Sequence, residues 1–125
     1  MSLILDTGAL IALERGDRAM WRRYKGAIGA LEVVTHGGVV GQAWRGRGPR
    51  QARLARALEG MDIRALDSTL GRSAGELLAG TRTSDVIDAA VALLADDGDV
   101  VYSSDPDDLE PLLVATNRHV ELVPV

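Results

Sequence analysis

Five short, mostly apolar runs recur along this chain, and helical patterns separate them. The runs are Leu3–Asp6, Glu32–Thr35, Asp62–Leu66, Val100–Ser103 and Val120–Val123. Each is shorter than a stable helix and reads as a buried strand. The intervening segments read as helices: about Gly8–Arg15, Arg18–Leu31, the segment VVGQAWR, one opened by Pro49, then Ser68–Ala79, Ser84–Asp96 and Pro106–Ala115. This alternation lets strands pair in parallel while helices cross over the faces. The predicted fold is therefore α/β, a three-layer α/β/α sandwich around a mainly parallel sheet, in a single domain over residues 1–125. The chain lacks Phe and has four other aromatic residues, so Leu, Val, Ile and Ala must fill the core. In such sheets ligands bind beyond the carboxyl ends of the strands, at a topological switch point. Asp6 and Asp105 both fall at predicted carboxyl ends.

Acidic residues gather where that site would form. From Thr83 to Asn117 there are nine carboxylates and no Lys, Arg or His, so no cation of the segment itself can neutralise them. Apolar stretches (VIDAAVALLA and DVVYSS) divide the tract, which argues for folding rather than for a solvated tail. Carboxylates brought together without a counter-ion favour a bound cation. Asp85 and Asp88 lie one helical turn apart and project from the same face. Asp88 is surrounded in sequence by Val86, Ile87, Ala89, Ala90 and Val91, where an unpaired charge is costly. Asp6, Asp85 and Asp105 also suit helix N-caps, and capping leaves one carboxylate oxygen for other use. Asp107 and Asp108 read as first-turn acids of a helix opened by Pro106. Asp96, Asp97 and Asp99 read as a surface turn.

Other features narrow the chemistry by exclusion. With no cysteine there is neither a disulfide nor a thiolate site, which fits a reducing cytoplasm. His36 and His119 stand apart, so a zinc site is not expected. No apolar run approaches membrane-spanning length, and Asp6 interrupts any signal-peptide pattern at the start. The formal net charge is −4, yet Gly41–Leu58 carries five arginines and no acid. Arg50, Arg53 and Arg56, three apart, read as the solvated face of a helix whose apolar side is Ala52, Leu54, Ala55 and Leu58. A phosphoacceptor signalling domain would need a Lys at the site, and the single Lys25 lies on an early helix. A haloacid-dehalogenase-type phosphatase would need a second Asp two residues after Asp6, where Gly8 stands.

Three segments, LILDTGALIALERG, SDVIDAAVALLA and VVYSSDPDDL, resemble the PIN domain, the nuclease fold of VapC-type toxins. The resemblance spans nearly the whole chain. It implies a metal-dependent endoribonuclease, the toxin of a toxin–antitoxin pair, with Mg²⁺ or Mn²⁺ held by acids from separate segments. The matching residues are Asp6, Asp85 and Asp105 as metal ligands, with Asp88 as a fourth catalytic acid. It further implies an RNA substrate, a cognate antitoxin and a homodimer. The family pattern V-x-x-E-x-x-R is met here by VVGQAWR, so Gln42 stands where Glu is usual. Gln42 offers a carbonyl oxygen without charge, and Thr7 and Ser104 are possible accessory groups beside the strand-end acids. A binding module with a weakened site is the alternative that Gln42 implies.

Overall fold

The computed structural model describes all residues, Met1–Val125. Its elements are β1 (Ser2–Leu5), α1 (Thr7–Arg15), α2 (Arg18–Ala27), β2 (Glu32–His36), α3 (Gly37–Ala43), α4 (Pro49–Glu59), β3 (Asp62–Arg64), α5 (Ser68–Ala79), α6 (Val86–Leu94), β4 (Val100–Ser103), α7 (Pro106–Ala115) and β5 (Glu121–Pro124). The sheet has the order β3-β2-β1-β4-β5, and every neighbouring pair is parallel. The chain starts in the middle, builds outward through β2 and β3, then returns to the other side of β1 for β4 and β5. β1 and β4 therefore flank the topological switch point.

Helix α1 packs on α2, α3 and α4, while α6 packs on α5 and α7. Right-handed crossovers that run in opposite directions place these two groups on opposite faces of the sheet. Covered on both sides, the central strands read as continuous apolar runs: Ile4, Leu5, Val34 and Val101 are fully buried. Helix α6 is buried almost all round through Ala89, Ala90, Val91, Ala92 and Leu94. No helix is long and apolar enough to cross a membrane.

Helix boundaries differ from the sequence expectation where side chains cap the backbone. β1 ends at Leu5 because Asp6 has become the N-cap of α1, accepting from the Ala9 N–H at 2.9 Å. Helix α6 starts at Val86, since Asp85 caps it. Helix α3 begins earlier than expected, at Gly37, because the His36 ring accepts from the Gly38 N–H, and it ends before Trp44. Helix α2 stops at Ala27, ahead of the left-handed Gly29. β3 is a short exposed edge and excludes Leu66.

Two polar residues are buried against expectation. Asp99 is not part of a surface turn. Its carboxylate accepts from the Ser2 N–H at 2.7 Å and the Asp96 N–H at 2.8 Å, fastening the amino end of β1 to the turn before β4. On α4 the inward residues are Gln51, Leu54 and Ala57, whereas Ala52 is exposed. Gln51 accepts from the N–H groups of Arg45 and Gly46 and donates to Glu14 and to the Ala43 carbonyl, so it shapes the α3–α4 loop.

Candidate active site

Asp6 follows β1 directly, and its N–H continues the ladder to the Tyr102 carbonyl of β4 at 3.2 Å. Asp105 lies two residues beyond β4, so the switch point places both acids at one end of the sheet. Gly8 permits a close approach between the first turn of α1 and the β4–α7 turn. A Cβ on Gly8 would stand 1.9 Å from Ser104 Oγ and 2.3 Å from Ser104 Cβ. Any larger residue there would push α1 away from the turn that carries Asp105.

Helix α6 brings its N-terminus to the same end. His36, at the carboxyl end of β2, joins its Nε2 to the Ile87 carbonyl at 3.0 Å, and its Nδ1 accepts from Gly38 N–H at 3.1 Å. These partners require a neutral ring with the proton on Nε2. Burial accordingly lowers the His36 pKa, opposed by the bond to Ile87. The ring thus supplies no positive charge to the acids, and it fixes α6 one residue before Asp88.

Around Asp88 the carboxylates converge electrostatically. Its pKa is pushed up from 3.8 to about 6, first by burial and then by the charges of Asp85, Asp6, Asp108 and Asp105. Five acids from β1–α1, α6 and the β4–α7 region therefore share one field. None of the five has a salt bridge; the chain's ion pairs all lie elsewhere. Asp6 is only 3% exposed, and burial raises its pKa against the pull of the Ser103 hydroxyl and the N–H groups of Ala9, Ser104 and Gly8.

The acids differ in what their oxygens already do. Asp6 uses Oδ1 to cap α1. Asp85 uses Oδ1 for both Ile87 N–H and Asp88 N–H, at 2.9 and 3.1 Å, leaving Oδ2 outside the cap. Asp105 occupies the N-cap position of α7 yet makes no side-chain cap bond, so capping does not account for its carboxylate. Instead the Asp105 N–H donates to Ser103 Oγ at 2.8 Å.

Gln42 on α3 reaches the same rim, where its side-chain carbonyl accepts from the Thr7 hydroxyl. Both accessory residues are thus engaged with each other, next to Asp6. Ser104 is exposed and lies against Gly8.

Ser103 and Asp108 were missed as site residues. Ser103 is fully buried and links Asp6 with the backbone of Asp105. Its sequence signal was a polar residue at the same inward phase as Val101. Asp108, one turn after Asp105, contributes to the field at Asp88 rather than serving only as a first-turn acid.

Only oxygen donors line this cluster, and their excess negative charge suits a hard divalent ion. No three acidic or imidazole groups close tightly enough to cage an ion. That openness is compatible with Mg²⁺, which keeps several waters and needs one or two direct carboxylates.

Neither a family model nor a curated protein matches the sequence. Among solved structures, a chain in the crystal structure of VapBC2 from Rickettsia felis, bound to a DNA fragment from their promoter, is similar. The TM-score is 0.70 with 13% identity, over 98% of this chain and 98% of that one. At that identity the likeness establishes the fold, the PIN-like sandwich expected from the sequence.

Proposed function

We propose that this chain is a metal-dependent endoribonuclease and the toxin of a type II toxin–antitoxin pair. The observation that carries the reading is the Asp88 environment: burial first and then four other acids raise its pKa, and no basic side chain forms an ion pair with any of them. The full-length likeness to a chain of the VapBC2 assembly agrees with it.

Asp6, Asp85 and Asp105 would hold Mg²⁺ or Mn²⁺, directly or through water. The ion's chemistry there is to make a bound water acidic and to neutralise charge at the scissile phosphate. Asp6 is fixed for this role by Ala9 and Ser103, and Asp85 by the first turn of α6. Asp88, half-buried and in the field of both, would orient the attacking water, with the Gln42 carbonyl as a second acceptor on the rim. Ser103 is a positioning residue that keeps Asp105 in register with Asp6. The antitoxin would present a basic side chain to this acidic pocket. The chain would act as a homodimer in the cytoplasm.

The test is cleavage of RNA with added Mn²⁺. Cleavage that survives both EDTA and Asp6→Asn would reject the proposal. A second reading, a weakened binding module, is favoured by Gln42, which brings no charge and is already bonded to Thr7. Gln42→Glu separates the two. Cleavage by the parent protein rejects the weakened module. A silent parent whose Gln42→Glu variant gains Mn²⁺ affinity and cleavage supports it.

A further inference from the structure

A second charged surface lies away from the acidic cluster. Helices α2 and α4 enclose a groove of about 500 Å³ lined by Gly16, Arg18, Trp21, Arg22, Lys25 and Arg53. Four of these residues are cationic and none is acidic. None of the four has a salt bridge, and all four side chains are exposed. Nearby Asp17 has turned its carboxylate to the Met20 N–H as the cap of α2. A chain of net charge −4 thus holds a groove whose lining carries four cations and no acid.

The groove is shaped as well as charged. Gly16 is left-handed (φ 78°), and a Cβ on it would lie 2.3 Å from Arg53 Nη1. The glycine therefore seats the Arg53 guanidinium against the end of α1. Trp21 forms the floor: its indole N–H donates to the Leu13 carbonyl at 2.9 Å, and its ring meets Tyr24 edge-on. An adjoining groove of about 440 Å³ runs past Lys25, Arg56 and Glu59 toward Gly60, over Tyr24 and Ile28.

We propose that the α2–α4 groove binds the phosphodiester backbone of a nucleic-acid strand at a site separate from the acidic cluster. Asp6 caps one end of α1 and Gly16 the other, so about 15 Å of helix separates the two surfaces at 1.5 Å per residue. Three Arg forks suit phosphate oxygens. Of the groove's own lining only Trp21 could anchor an acidic protein, and that side chain already has its own partners. Contacts of this kind read no base, so binding is independent of sequence and dependent on salt.

The experiment is fluorescence anisotropy with a labelled RNA of about 12 nucleotides, a span within single-strand site sizes, in EDTA so that no cleavage occurs. Four phosphate contacts predict a log–log salt slope near −3, at about −0.7 per contact. The double variant Arg22→Ala/Lys25→Ala should weaken binding and flatten that slope by about 1.4. Arg72→Ala/Arg82→Ala, an equal charge loss elsewhere, should leave it unchanged, and thermal melting checks that both variants fold. Equal binding by the parent and the α2 variant overturns the proposal. So does competition by polyglutamate as strong as that by polyphosphate, which assigns the groove to an acidic protein. A protein that binds RNA here yet never cleaves it with Mn²⁺ rejects the nuclease reading and leaves the groove standing.

Discussion

Replacing Asp88 with Asn should stabilise the metal-free protein at neutral pH while abolishing the proposed RNA cleavage. Asp88 is held at about 6 in the folded chain, against 3.8 for an ordinary aspartate. Between those values the folded state binds more protons than the unfolded one, so this group's contribution falls as pH rises. The penalty is absent below about pH 4 and complete above about pH 7. Two pKa units correspond to about 3 kcal/mol as a ceiling. Solvent and salt screen a half-buried group, so about 1–2 kcal/mol is the expected gain. Asn is nearly isosteric, and the Asp88 carboxylate makes no hydrogen bond that the amide would lose. For a chain of this size that gain is a rise in Tm of about 3–8 °C. Thermal unfolding in EDTA at pH 4 and pH 8 measures it as the difference between variant and parent. The variant should melt higher at pH 8 and level with the parent at pH 4. Adding Mg²⁺ should raise the parent's Tm and close the gap, because the ion offsets the repulsion that Asn removes. A variant destabilised equally at both pH values would refute the reasoning, since it would assign Asp88 an ordinary packing role.

Other substitutions test how the site is assembled. Gly8→Ala should destabilise by about 1–3 kcal/mol through overpacking against Ser104, and cleavage per folded molecule should fall as Asp6 and Asp105 move apart. Asp99→Ala leaves the Ser2 and Asp96 N–H groups without their partner. Charged hydrogen bonds of this kind predict a loss of about 2–4 kcal/mol in denaturant unfolding, with cleavage by the folded fraction unchanged because Asp99 lies at the opposite end of the sheet. His36 has a lowered pKa, so the unfolded chain binds the extra proton, and the stability it confers above about pH 6.5 is lost on acidification. His36→Gln should flatten that acid limb in melts between about pH 7 and pH 5, whereas an unchanged limb would show that the ring does not titrate with unfolding.

Much of this architecture was legible because strand and helix periodicities are local. Apolar runs such as LIL and VVYS cannot be solvated, and the helical segments between them leave a parallel sheet as the economical arrangement. Asp6, Asp85 and Asp105 stood out as candidates because each follows or precedes an apolar element abruptly. What escaped was set by tertiary contacts. Nothing local distinguishes Asp99 from Asp96 and Asp97, yet only Asp99 meets the N–H of Ser2, a partner 97 residues away. Gln51 was invisible for the same reason, since its burial depends on α1 and the α3–α4 loop meeting around it. Asp108 looked like a first-turn acid, and only the return of α6 to the carboxyl end gives it a neighbour in Asp88.

The placement of His36 explains why that return is stable without a charge partner. A cation behind α6 would neutralise the acids and leave no need for a bound ion. The neutral imidazole instead ties α6 to the start of α3, donating to the Ile87 carbonyl and accepting from Gly38 N–H, which supplies structure without charge. Protonating it would bury a positive charge and also remove the acceptor for Gly38 N–H. The Asp88 penalty sets in above about pH 4 and is complete above about pH 7, while the His36 penalty lies on the acid side and is lifted by about pH 6.5. In the metal-free chain the two slopes therefore oppose each other over the same range, and a divalent ion that offsets the Asp88 repulsion should leave stability rising with pH toward neutrality. The repulsion is thus confined to the pocket, where a cation arriving from outside can relieve it, whether as a metal ion or as a partner's basic side chain.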